Sequence, residues 1–322
     1  MKRSMLSTVK YFSGLIWPLL GSMLLWAMIG IAAGKFTAPQ FYTCAKLASF
    51  AMLLGLAQMT VVTSGDGAID LSQIYSLTLC AFVACHFMSI NIGLGLVMAI
   101  LVGGLCGLIN GAITIFFGVP AMITTLATGY ILFSVNLISA PYLKTLPNPA
   151  FVNFINAGAG GISMLTFIVI LAALLLSLLL YKTRYGRQLH AVGQNKTAAA
   201  YAGISVRPVV ITAFVLAGGF CGLAGALCGA FIGGAFQDMG STYFLPSVAA
   251  TFVGGTAASG GKSNVPGVCL GALMMSFMSM FLNTANFSPG LQRFIQGIFF
   301  VCILIASISS GAQKRKLKRQ KT

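Results

Sequence analysis

With 322 residues, 58% of them hydrophobic and 7% charged, the chain has a mean hydropathy of +0.95, whereas soluble domains carry about 25% charged residues. This excludes an ordinary soluble domain and defines an integral membrane protein. The net charge of +16 does not point to nucleic acid, because nearly all Lys and Arg lie outside the apolar runs, as a positive-inside bias requires, and not on a solvated basic face.

A spanning helix needs about 20 mostly apolar residues. That ruler marks ten stretches in chain order: 15–34, 45–63, 69–88, 90–117, 120–140, 162–181, 208–234, 244–259, 264–283 and 290–309. The expected fold class is therefore an all-α polytopic membrane protein. The first stretch follows the basic start KRSMLSTVKYF, but its apolar run exceeds the core of about 7–15 residues of a signal peptide, so it is read as a retained helix. Between the second and third stretches, TSGDGAIDLS (63–72) holds Asp66 and Asp70, two of only three acids. Gly65 and Gly67 allow an irregular turn there, and Asp70 is expected to cap the next helix.

The glycines of GGLCGLINGA (103–112) and GGFCGLAGAL (218–227) let helices approach closely, and their likeness suggests two related halves. The loop 141–161, with Lys144 as its one cation, is expected to face outward. The loop 182–207 carries Lys182, Arg184, Arg187, Lys196 and Arg207; Lys2, Arg3 and Lys10 precede the first span, and a basic tail, 311–322, ends the chain. With ten spans all three clusters fall on one side, which the positive-inside rule makes cytoplasmic, with both termini there. The Gly-rich 244–259 stretch is short enough to be broken or re-entrant.

Polar residues at membrane depth, Gln58, Asp70, Asn91, Asn110, Thr124, Thr125, Asn136 and Asn283, are the candidate translocation path. Neutral amides and hydroxyls exchange hydrogen bonds with a polyhydroxylated solute at little charge-desolvation cost, although interhelical bonding accounts for the same residues. GGTAASGGKS (254–263) misses a phosphate-binding loop by one residue, since Thr256 stands where the first Gly belongs. With no Glu and three Asp, the chain offers little to hold Mg²⁺ or activate water, so no nucleotide, metal or other cofactor is expected on it. No Ser/His/Asp set, paired carboxylates or metal motif can be assembled, which excludes an enzyme. His86 and His190 are read as structural, and the cysteines as small buried hydrophobes.

GRQLHAVGQNKTAAAYAGI (186–204) is the most soluble-looking internal stretch. Asn195 is placed to cap a short helix beginning at Lys196, and Gly203 to end it in the left-handed conformation. The whole stretch resembles the cytoplasmic loop of the ribose/simple-sugar type permeases of bacterial ABC importers, with matches at Gly186, Arg187, Ala191, Gly193, Asn195, Ala198, Ala199, Gly203 and Ile204. Thr197 stands where the broader ABC permease signature has Glu. GAIDLS (67–72), NGAITIFFGVPAMITTLATG (110–129) and LPSVAATFVGGTAASGGKSNVPGVCLGA (245–272) extend the resemblance in order along the chain.

The resemblance implies one transmembrane permease domain, 1–322, in the bacterial inner membrane. It implies a second permease copy or related permease, two ATP-binding cassette ATPases carrying ATP and Mg²⁺, and an extracytoplasmic binding protein. The loop 182–207 would couple to the ATPases through Gly186, Arg187, Gly193, Asn195, Thr197, Ala198, Ala199, Gly203 and Ile204. The cargo would be a monosaccharide or similar solute; a nucleoside or sugar-derived signal, or an ion-coupled transporter working alone, are the alternatives.

Overall fold

A computed structural model describes residues 2–34, 38–159 and 162–319, with side chains from 15 to 34, 39 to 158 and 162 to 305. The expected cations Lys2, Arg3, Lys10 and those of the 311–322 tail therefore have side chains outside the described residues.

All ten expected spans coincide with helices. They are α1 (Lys2–Ala32), α2 (Ala38–Thr63), α3 (Gln73–Met88), α4 (Ile92–Phe116), α5 (Ala121–Ser139), α7 (Met164–Lys182), α10 (Val206–Ile232), α11 (Ser241–Val253), α12 (Val265–Thr284) and α13 (Pro289–Arg319). Between them lie the short helices α6 (Pro149–Asn156), α8 (Arg184–Gln194) and α9 (Lys196–Tyr201), and a two-residue antiparallel pair of β1 (Gly158–Ala159) with β2 (Ile162–Ser163). Among the described residues, seven helices are long and apolar enough to cross a bilayer. The exceptions among the ten are α3, α11 and α13, whose described apolar stretch is Pro289–Ile305.

Polar side chains set several of the helix starts. The Oδ1 of Asn91 accepts from Gly93 N (2.8 Å) and Leu94 N (3.2 Å) to open α4, and Asn148 does the same for Ala150 N (2.9 Å) ahead of Pro149 in α6. Asn264 caps α12 through Gly267 N (3.3 Å) while its amide nitrogen holds Gly254 O (2.9 Å).

The long helices α2 and α10 form the centre. In α2, 78% of the apolar stretch is buried, against 28% in α4, so α2 is a core helix and α4 a flank facing lipid on one side. α10 packs against α4, α3 and α2, and α12 against α1, α2 and α11. The two Gly-rich stretches meet across the α4–α10 seam. A Cβ on Gly103 would strike Gly218 O, and the Gly107–Phe214 approach is mirrored by Gly222 against Ala99 O. In lipid, where apolar burial gives helices no net drive to associate, such backbone-to-backbone contact supplies the packing energy.

Three chain breaks depart from simple spans. Residues 64–72 climb from the end of α2 into the interior before α3 begins. Residues 233–240 fold back after α10, so that Gly240 lies against Ile74 O at the start of α3. α11 then runs for only 13 residues, about 20 Å, and 254–264 returns the chain to α12. The broken element is thus shorter than the 244–259 expected, because Gly254 already ends the helix and Gly255 takes φ 87°.

Candidate functional site

The basic 182–207 loop folds as two helices against the end of the bundle. Thr183 accepts from Gly186 N (3.3 Å) to start α8, and Gly186 lies so close to the Leu180 backbone that no Cβ fits. Leu189 and Val192 are fully buried, whereas Arg187 is exposed, so α8 lies flat with its apolar stripe inward. Tyr185 donates to Val209 O (3.3 Å), and burial pushes its phenol pKa up, keeping the donor protonated. His190 bridges Gly186 O (2.6 Å) and the Ser263 hydroxyl (2.8 Å), tying α8 to the 254–264 loop.

Asn195 accepts from Ala198 N (2.9 Å) to cap α9. At its other end Gly203, with φ 78°, donates to Ala200 O (3.0 Å), and Ile204 N donates to Ala199 O (3.0 Å), a Schellman ending. A six-residue helix closed at both ends in this way presents a fixed surface. Thr197 and Ala198 lie on it exposed, with Tyr201 90% exposed at its end. Ala199, expected beside Ala198 on the contact face, is 4% exposed and anchors α9 to the core instead. Tyr201 was not singled out from the sequence, although an aromatic at the end of an otherwise small-residue helix was a readable signal.

Gly193 is the junction of three segments. A Cβ there would overlap Thr63 O and the Gly261 backbone, while Gly260 lies against Gly65 and Gly261 N donates to Thr63 O (3.0 Å). The glycines of the near-miss phosphate loop therefore serve close packing of backbone on backbone. Beside them Lys196 Nζ meets Asp66 Oδ2 at 2.6 Å, an exposed pair that adds little stability but fixes α9 against the 64–72 segment.

That segment carries the buried polar cluster. Thr128 donates to Asn110 Oδ1 (2.6 Å), Asn110 Nδ2 to Ser72 Oγ (2.8 Å), and Ser72 Oγ to Asp70 Oδ1 (2.6 Å). Each donor in the relay points towards the carboxylate, so the bonds polarise one another. Leu71 N donates to Thr125 Oγ1 (3.0 Å), and the Gln58 amide brackets Asp70, accepting from its N (3.1 Å) and donating to its O (3.3 Å). Asp70 does not cap α3 as expected. Its carboxylate takes the Ser72 N–H (2.9 Å) in an Asx turn that ends at Ser72, the residue before the helix.

Gln58, Asp70, Asn110 and Thr125 are at most 3% exposed, so within one chain they fasten the broken segment and line no opening. Replacing Asn110 by Leu breaks the link between Thr128 and Ser72, whose hydroxyls keep their bonds to Thr124 O (3.0 Å) and Asp70 Oδ1 (2.6 Å), and with two buried hydrogen bonds lost it is expected to destabilise the fold by about 1–2 kcal/mol. Thermal unfolding in detergent measures it; an unchanged midpoint would show that the relay holds nothing.

The remaining candidates lie apart. Asn91 is an exposed helix cap, and Asn283, also exposed, accepts from Gln292 Nε2 (2.9 Å) near the far end of α12. Neither belongs to the buried cluster, because an Asn at a helix end meets free N–H groups or solvent before it meets a path. Thr124 and Asn136 are buried. Asn136 Nδ2 holds Tyr75 O (2.9 Å), while its Oδ1 and the Thr124 hydroxyl have no described partner.

Residues 40–304 match the family model described as branched-chain amino acid transport system / permease component. Among curated relatives, the galactose/methyl galactoside import permease protein MglC of Escherichia coli is 28% identical, covering 81% of this chain and 83% of that one. The D-allose transport system permease protein AlsC of Escherichia coli is also 28% identical, covering 92% of each chain. The autoinducer 2 import system permease protein LsrD of Salmonella typhimurium is 27% identical over 74% of this chain and 75% of its own. No solved structure matches. The bundle of apolar helices, its fixed α8–α9 surface and a family match over most of its length identify the chain as a member of this family of transport-system permease components, a multi-pass membrane protein.

Proposed function

We propose that this chain is the permease of an ATP-driven importer for a monosaccharide or a similar small polyhydroxylated solute. It forms the path with a second permease, and two separate ATP-binding cassette subunits, which carry ATP and Mg²⁺, drive it. The observation that carries the reading is α9: a helix capped at both ends, anchored through Ala199 and offering Thr197, Ala198 and Tyr201 outward. A loop that only obeyed the positive-inside rule would need its cations and no such fixed surface. The segment 182–207 acts as the coupling loop. It lies in the cytoplasm with both termini and the basic tail, and an extracytoplasmic binding protein delivers solute at the opposite end.

The family match and the sugar import permeases among the relatives support the cargo class. A scarcity of acids in the spans disfavours ion coupling. Ala198→Glu would bury an unpaired carboxylate in the ATPase contact, so uptake by the reconstituted importer is expected to fall at least about tenfold while the permease still purifies folded. Undiminished ATP-driven uptake by that variant would sink the coupling role.

A further inference from the structure

The third acid, Asp238, belongs to neither the coupling surface nor the buried relay. It lies in the fold-back segment 233–240, is exposed, and takes a left-handed backbone with φ 63°. Its depth follows from its neighbours. Gln237 Nε2 reaches Phe133 O (3.5 Å), six residues before the end of α5, and Gly240 touches Ile74 O, one residue into α3. At 1.5 Å per residue these levels lie about 9 Å and about 21 Å inside the ends of α5 and α3, within a hydrocarbon core of about 30 Å. An exposed carboxylate at that depth cannot face lipid. Among the described residues no cation lies within ion-pair distance of it, so its charge is left for water or a solute to meet.

The side chains around it suit one ligand chemistry. The Tyr75 ring lies 5.4 Å from Phe133 and 6.4 Å from Tyr130, with Tyr130 61% exposed. Asp238 stands two residues before Gly240, whose backbone lies against Ile74, the residue before Tyr75. The buried Gln237 Oε1 and Asn136 Oδ1 beside them have no described partner, and two such acceptors persist at a cost unless something donates to them. Aromatic faces with hydroxyls at their tips beside an exposed carboxylate accept the C–H faces and O–H groups of a sugar ring.

We propose that Tyr75, Tyr130, Gln237 and Asp238 form a low-affinity subsite for a polyhydroxylated solute on the wall of the translocation path. The subsite rests on the importer reading above and gives its path a location. It lies on the surface between α3, α5 and the fold-back segment, outside the buried Asp70 relay. Solute passing through would exchange water for the tyrosine faces and the Asp238 carboxylate part-way across the membrane.

The test uses the complete importer in proteoliposomes with its binding protein. Asp238→Asn keeps both shape and the tolerance for positive φ, and Tyr130→Leu keeps an apolar side chain. Each is expected to lower solute uptake about tenfold, the size of one lost charge-assisted hydrogen bond or one stacking face, while ATP hydrolysis stimulated by the binding protein is retained. Tyr130→Cys is expected to react with a charged, membrane-impermeant methanethiosulfonate above the wild-type background. Wild-type uptake driven by ATP together with undiminished uptake in both substitutions would overturn the subsite alone. Labelling of Tyr130→Cys only by a lipid-soluble maleimide would do the same. Absence of ATP-driven uptake in the wild type would overturn the importer reading and the subsite with it.

Discussion

Replacing Gly193 by Val is expected to abolish coupled transport while leaving the membrane spans inserted. The site has no room for any side chain, because even one Cβ would overlap Thr63 O and Gly261 N, both of them backbone atoms that cannot rotate away. Relief requires α8 to lift from the ends of α2 and the 254–264 loop. Overpacking of this kind costs about 1–3 kcal/mol or more where nothing yields. That is enough to undock the α8–α9 pair, which is held locally by Leu189, Val192 and Ala199 and by the Lys196–Asp66 pair. Uptake should fall by more than about tenfold, with weaker recovery of the ATPase on purification of the permease. Gly203→Ala provides the contrast. Nothing lies within 4 Å of a Cβ there, so only the positive φ is penalised, about 1 kcal/mol, and a partial loss is expected. Equal losses for the two variants would show that the junction is not the point of force transfer.

What the sequence makes legible is what is local. The ten apolar stretches each become a helix because length and hydropathy in lipid leave few alternatives. Asn195 and Gly203 are readable as helix ends because a cap is made within a few residues of itself. Asn91 could have been read the same way, since it stands directly before the apolar run of α4, but its place inside a counted span drew it into the path.

Orientation and long-range pairing are not written locally. A helix of six residues is too short for periodicity to say which side is buried, so Ala198 and Ala199 look alike in sequence and face opposite ways in the fold. Lys196 finds Asp66 across 130 positions because the 254–264 glycines bring two backbones together. Asp238 gave no signal of depth, because a fold-back segment after a full-length span reads as an external loop. Its depth is read only from its neighbours, Gln237 against Phe133 O and Gly240 against Ile74 O.

Gly107→Val is expected to disrupt the fold itself, and it tests whether the α4–α10 seam is the structural spine. α10 shares its most extensive packing with α4. At its middle Gly103 faces Gly218, with Gly107 against Phe214 on one side and Gly222 against Ala99 on the other. A Cβ at Gly107 would strike Phe214 O, and the β-branched side chain would separate the helices along the whole seam, since two rigid helices cannot part at one residue only. Helix association in lipid draws on this close contact and not on hydrophobic burial, so the loss is not recovered elsewhere. A destabilisation of about 3 kcal/mol is expected, seen as loss of the monodisperse species on size exclusion in detergent and a lowered thermal midpoint. The adjacent Gly104 meets nothing nearer than 3.8 Å, and Gly104→Ala should behave as wild type. A Gly107→Val protein that melts with the Gly104→Ala protein would mean that the seam yields, and that the bundle is held by α2 and its neighbours instead.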